Sequence, residues 1–265
     1  MEDTKQQNRY LAIIENLFFS RYKKGSTEMK FERDELVSTA NKLGVKLPKN
    51  LGDVIYSIRY RVPFPKKITD TQPDGKEWVI EGRGRAMYAF KLVTVNRIVP
   101  NDQLAAIKIP EATPEIITAY ALSDEQALLA KVRYNRLLDI FMGITTYSLQ
   151  SHLRTSVAGL GQVEIDELYV GVDKKGQQYI IPVQAKGGSD QLSAVQTRQD
   201  MACCTEKFPN LSCRPVSAQF AKEDLIALFE LVATDGEVKI LEEKHYRLVP
   251  SDQITAEDLK QYAKR

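Results

Sequence analysis

Histidine is almost absent from this chain: His152 and His245 are the only two among 265 residues. That count excludes a multi-His metal centre. Neither residue stands in the local spacing of an HNH nuclease, and neither marks a Ser-His-Asp triad, although triad members lie far apart in sequence. Cysteine is scarce as well. Cys203, Cys204 and Cys213 are odd in number and form no CxxC pair, so neither a zinc site nor a disulfide is expected. Cys203 and Cys204 read instead as small apolar residues on a helix. No apolar run approaches a membrane span, and Met1-Glu2-Asp3-Thr4-Lys5 is too polar for a signal peptide. A cytoplasmic protein with no membrane partner is expected. A Walker A phosphate loop is missing too. Gly82-Arg83-Gly84-Arg85 lacks the third glycine and the strand-to-helix context of a dinucleotide site.

The composition, 43% hydrophobic and 27% charged, suits two modest domains with ordinary cores. The formal charge of +2 conceals an asymmetry. Residues 1–100 hold 19 Lys and Arg against 12 Asp and Glu; the remainder holds 18 against 23. A basic front half suits a polyanion, and an acidic back half suits a metal centre that needs carboxylates. Ordinary surface solvation produces the same imbalance.

Gly161 to Lys186 is the most informative stretch. It reads as two strands joined at Asp173-Lys174-Lys175-Gly176. Val163 and Ile165 alternate, which places Gln162, Glu164 and Asp166 on the opposite face of the first strand. The second strand, Tyr179 to Lys186, is rich in β-branched and aromatic residues, and Gln184 and Lys186 share one of its faces. If both polar faces turn to one cleft, two carboxylates meet an amide oxygen and an ammonium. Such a set can hold a hard divalent cation and activate a water. A solvated hairpin face, with Lys186 as a protective edge charge, is the competing explanation. Burial of the second strand on both faces favours a site, because half-buried charge is costly without a partner. Pro182 points instead to an edge or a bulge.

An acid on one strand followed by acid-x-Lys on the next resembles the signature of the PD-(D/E)xK nuclease superfamily, with Asp166 as the first acid and Gln184-Ala185-Lys186 in the second position. Gln184 departs from the usual Asp or Glu, although glutamine occurs there in some members, and Glu164 is placed to supply the missing charge. A helix is expected over Asp190 to Cys204, with Leu192, Val195 and Ala202 buried and Gln196 and Gln199 facing one direction. Several branches of the superfamily are similar in carrying a Gln-rich helix that reaches back to the site. The resemblance implies a mixed-sheet core over about residues 120–250, with Mg²⁺ as cofactor. Asp166, Gln184 and Glu164 would be its ligands, and Lys186 would orient or deprotonate the attacking water. It also implies an acid on the preceding helix, for which Glu125 is the candidate; capping and the helix dipole explain Glu125 equally well.

In the front half, Tyr10, Ile13, Ile14, Leu17 and Phe18 predict an amphipathic helix over 8–22. A second is expected from Arg33 to Leu43, ended by Gly44, and a third opens at Pro48-Lys49-Asn50-Leu51 and stops before Pro63. Strands are expected over Glu77–Ile80 and Ala86–Val93. Three helices followed by a hairpin with a Gly/Arg tip resembles a winged helix. That likeness implies a third helix in the major groove, offering Lys49, Asn50, Ser57, Arg59 and Arg61, with Arg83 and Arg85 on phosphates. A helical scaffold with a solvated basic face is the alternative.

The expected fold class is α/β (α+β), with an N-terminal winged helix over 1–100, a Pro-marked connection over 101–118 and a nuclease core over 119–265. One long helix is predicted from Ser123 to Phe141. Strands are predicted over Ser212–Phe220 and Glu237–Val249, with a helix over Lys222–Val232 between them. Tyr147 to Arg154 lines incoming DNA through Arg154 or is plain surface. The expected function is Mg²⁺-dependent cleavage of double-stranded DNA at a specific sequence, as in a type II restriction endonuclease. A homodimer cutting both strands is implied, and functional pairing with a DNA methyltransferase. A structure-selective repair nuclease and a non-catalytic DNA-binding regulator are the rivals.

Overall fold

The computed structural model describes residues 2–48, 51, 54–55, 63–94, 97–120, 125–187, 192–221, 225–234 and 237–264. The chain divides into two compact units, one comprising residues 1–95 with 156–162 and the other 96–155 with 163–265. No described helix is long and apolar enough to cross a membrane.

The first unit follows the order α1 (Glu2–Phe19), β1 (Glu28–Glu32), α2 (Arg33–Lys42), α3 (Lys66–Thr69), β2 (Lys76–Gly82) and β3 (Met87–Thr94). Its antiparallel sheet has the order β1-β3-β2. Strand β1 was not expected; its Met29 and Phe31 alternate inward between charged residues. The α1 stripe Ile13, Ile14, Leu17 and Phe18 is buried as predicted. Phe18 sits at the centre of the core, with edge contacts to Trp78 and Phe90. A capping box between Glu32 and Glu35 starts α2. Gly44, in the left-handed region at φ +64°, follows its end. The predicted third helix lies largely outside the described residues.

The second unit is built on a mixed sheet of order β5-β13-β12-β11-β8-β7-β6, with β10 beside β8. Its strands are β5 (Ile107–Pro110), β6 (Thr145–Val157), β7 (Gly161–Val172), β8 (Gln178–Lys186), β10 (Ser212–Cys213), β11 (Val216–Phe220), β12 (Leu225–Thr234) and β13 (Glu237–Val249). A two-stranded pairing joins β4 (Arg97–Ile98) to β9 (Leu192–Ser193). Helices α4 (Glu115–Tyr120), α5 (Glu125–Tyr134), α6 (Leu137–Met142), α7 (Ala194–Lys207) and α8 (Ala256–Tyr262) complete the unit. Strand β8 runs antiparallel to β7 and, after α7, parallel to β11. One sheet face, with Tyr169, Ile181, Val183, Ala185, Val216 and Ala218, packs on apolar residues of α5 and α6.

Three expectations need correction. The segment 225–234, predicted as part of a helix, is strand β12; it is apolar on both sides because it is buried on both faces. The long helix from Ser123 to Phe141 breaks at Asn135 and Arg136. Arg136 adopts φ +50°, and the Asn135 side chain bonds Ala112 N–H, Thr113 Oγ1 and Glu111. The buried side of α7 is Thr197, Gln199, Asp200, Cys203 and Cys204; Val195 and Ala202 are only half-buried. Residues 107–110, expected in the connection, form β5, parallel to β13. Pro182 is accommodated inside the sheet, because β10 pairs with Tyr179–Ile180 and β11 begins at Val183, leaving a break beside the missing N–H.

Candidate active site

The predicted hairpin forms as read. Asp173 closes its turn by accepting from the N–H groups of Lys175 and Gln177, and Gly176 takes φ +83°. From this turn the register runs back to Glu167↔Val183. Continuing it sets Asp166 opposite Gln184, and the two-residue repeat keeps Glu164, Asp166, Gln184 and Lys186 on one face.

Side chains take over where the ladder ends. The Ala185 N–H donates to Asp166 Oδ2 at 2.9 Å, and Gln184 Nε2 donates to the Glu164 carbonyl at 3.1 Å. Gln184 is 3% exposed and belongs to a network with α7. Its Nε2 also donates to Asp200 Oδ2 at 2.8 Å, and its Oε1 accepts from Gln196 Nε2 at 2.7 Å. Gln199 is buried on the same helix.

Lys186 Nζ donates to Glu125 Oε1 at 2.9 Å, so the helix acid reaches the end of β8. Arg154 pairs with Glu164 at 3.0 Å. Burial raises the Asp166 carboxyl above its ordinary range. The Ala185 N–H and the Lys186 charge oppose that rise, and the charges of Glu125 and Glu164 add to it. Asp200 is driven well above the carboxylate range by burial, against the Gln184 hydrogen bond, with the Asp166 charge pushing the same way. Its Oδ1 has no hydrogen-bond partner. Asp200 is the participant that motif reading missed; it lies four residues after Gln196, one helical turn along the same face.

Among the described residues, no three His, Cys, Asp or Glu side chains form a metal-holding group. The donor set still fits Mg²⁺ in its common mode of one or two carboxylates completed by water and phosphate oxygens. Asp166 and Glu164 are the fitting carboxylates, and Asp166 is raised in part by the negative charges that a cation would offset. Gln184 joins them only by exchanging its bond to Gln196.

Of the predicted DNA contacts, Arg83 and Arg85 belong to the first unit. Arg83 pairs with Glu28 at 3.1 Å and Glu81 at 3.2 Å, whereas Arg85 is exposed. The tip that carries them needs glycine. A Cβ on Gly82 would lie 1.9 Å from the Leu160 carbonyl oxygen, and Gly84 has φ +105°. Lys49, Asn50, Ser57, Arg59 and Arg61 lie outside the described residues. All three cysteines are unbridged, with Cys203 and Cys204 buried. Compared with known proteins, the chain matches no protein-family model and no curated protein.

Proposed function

We propose that this chain is a Mg²⁺-dependent DNA endonuclease of PD-(D/E)xK type, cutting double-stranded DNA at a specific sequence as restriction enzymes do. One observation carries the reading: Asp166 is bonded to the amide between Gln184 and Lys186, and Lys186 is ion-paired to Glu125. The strand sequence β6-β7-β8, then helix α7, then β11 parallel to β8 supports it, because that order suits a nuclease core. In the first unit, the order helix, strand, helix and closing hairpin supports a winged helix. Fold likeness alone would not argue the activity; the site residues must.

When bound, Mg²⁺ would polarise the scissile phosphate and lower the pKa of a bound water. Asp166 and Glu164 hold the cation. Lys186, kept protonated beside Glu125, stabilises charge on the phosphate or orients the attacking water. Gln184, Gln196 and Asp200 fix the splayed end of β7 against β8. Cutting both strands of a palindrome calls for two sites and hence a symmetric dimer.

A non-catalytic DNA-binding regulator is the second reading. The engagement of both polar atoms of Gln184 in buried hydrogen bonds favours it. Incubation with unmethylated, methylated and branched DNA separates the possibilities. Discrete Mg²⁺-dependent fragments support restriction, cutting of branched DNA alone supports repair, and intact DNA in all three supports the regulator.

A further inference from the structure

The face of β7 opposite Asp166 holds polar groups that the proposed reaction leaves unused. Glu167 is fully buried. Its Oε1 accepts from Arg133 Nη2 and Nε at 2.5 and 2.8 Å and from Ser148 Oγ at 2.9 Å. Its Oε2 has no hydrogen-bond partner. Tyr169, two residues on and 3% exposed, also keeps its hydroxyl unpartnered. Burial and the neighbouring Glu167 charge raise that phenol, so it remains a donor.

Tyr169, Arg133 and Ser148 line a cavity of about 280 Å³ whose walls include Val132 and Leu138. Tyr147 also lines it, with 63% of its surface exposed. The charges around it balance: Arg133 is paired with Glu167, and Arg136 with Asp139 at 3.1 Å. Neither a cation nor an anion is therefore favoured. The volume suits one planar ring, the apolar walls and Tyr147 suit its faces, and the polar end asks for an acceptor beside a donor. The geometry points to a binding site for a single neutral nucleobase, whose ring lies against Tyr147 and whose polar edge meets Tyr169, Arg133 and Glu167. Guanine matches best, since O6 accepts while the adjacent N1–H and N2–H₂ donate to Glu167 Oε2.

This site does not depend on the cleavage reading, so it is tested without DNA. Calorimetric titration of the full chain with guanosine, adenosine, cytidine and thymidine in the millimolar range is the experiment. Guanosine is expected to bind most tightly. Tyr169→Phe, which keeps the buried ring, should weaken it about three- to tenfold through one lost hydrogen bond. Tyr147→Ala, an exposed change that spares the core, should weaken it about tenfold through lost stacking. Binding that both variants retain at full strength would place the ligand elsewhere and overturn the inference. Absence of binding by every nucleoside would overturn it too, leaving a cavity that holds water only.

Discussion

Asp166 and Gln184 each complete the main chain of the other's strand. Asp166 takes the Ala185 N–H of β8 at 2.9 Å, and Gln184 donates to the Glu164 carbonyl of β7 at 3.1 Å. The strands therefore separate at the candidate site without leaving those backbone groups unpaired, which would be costly. Polar side chains are thereby held close to a carboxylate cluster by bonds that also secure the sheet.

Asp200 should make stability depend on pH in a direction unusual for an acid. Its folded-state pKa lies well above the ordinary 3.8, so the folded chain binds the proton more tightly. The stabilisation is complete below the unfolded value and is lost as pH rises through the raised folded value. Asp200→Asn keeps an acceptor for Gln184 without the charge. Thermal melts across a pH series should show the variant gaining on the parent as pH rises above about 4. A difference that stays constant with pH would contradict this account.

Asn135 holds the elbow between α5 and α6. It is 5% exposed and bonds Ala112, Thr113, Glu111 and the Lys131 carbonyl. Asn135→Ala should cost about 2–3 kcal/mol, since buried partners lose their bonds together. Denaturant titration measures the loss. A cost below about 0.5 kcal/mol would mean that the elbow is set by packing alone.

The two hairpin arginines should separate in their effects. Arg83 is held by Glu28 and Glu81, so Arg83→Ala should lower the stability of the first unit by about 1 kcal/mol. Arg85 is exposed, and Arg85→Ala should weaken DNA binding and flatten its salt dependence by about one unit of log–log slope. DNA affinity measured across a salt series tests this. An unchanged slope for Arg85→Ala would remove the hairpin tip from the DNA surface.

The hairpin from Gly161 to Lys186 was legible because alternation, a Gly-containing turn and a two-residue polar spacing all point one way. The strand Leu225–Thr234 was not. Burial on both faces erases the period of two, and an apolar run of that length reads equally as helix. The break at Asn135 escaped notice because its cause is tertiary, lying in side-chain bonds to residues 111–113. Asp200 carried a local signal, its place one turn beyond Gln196, but a buried acid looks like any other helix acid until its neighbours are known. Glu125 illustrates the converse. A residue explained equally well by helix capping proves to be the partner of Lys186.

DNA cleavage in Mg²⁺ and in EDTA by the parent chain, Asp166→Ala and Lys186→Ala, with DNA binding measured alongside, tests the central claim most directly. The account predicts Mg²⁺-dependent cutting by the parent, a loss of about a hundredfold or more in either variant, and binding retained in all three. Cutting at the parental rate by either variant would contradict the assignment, as would intact unmethylated, methylated and branched DNA after incubation with the parent chain.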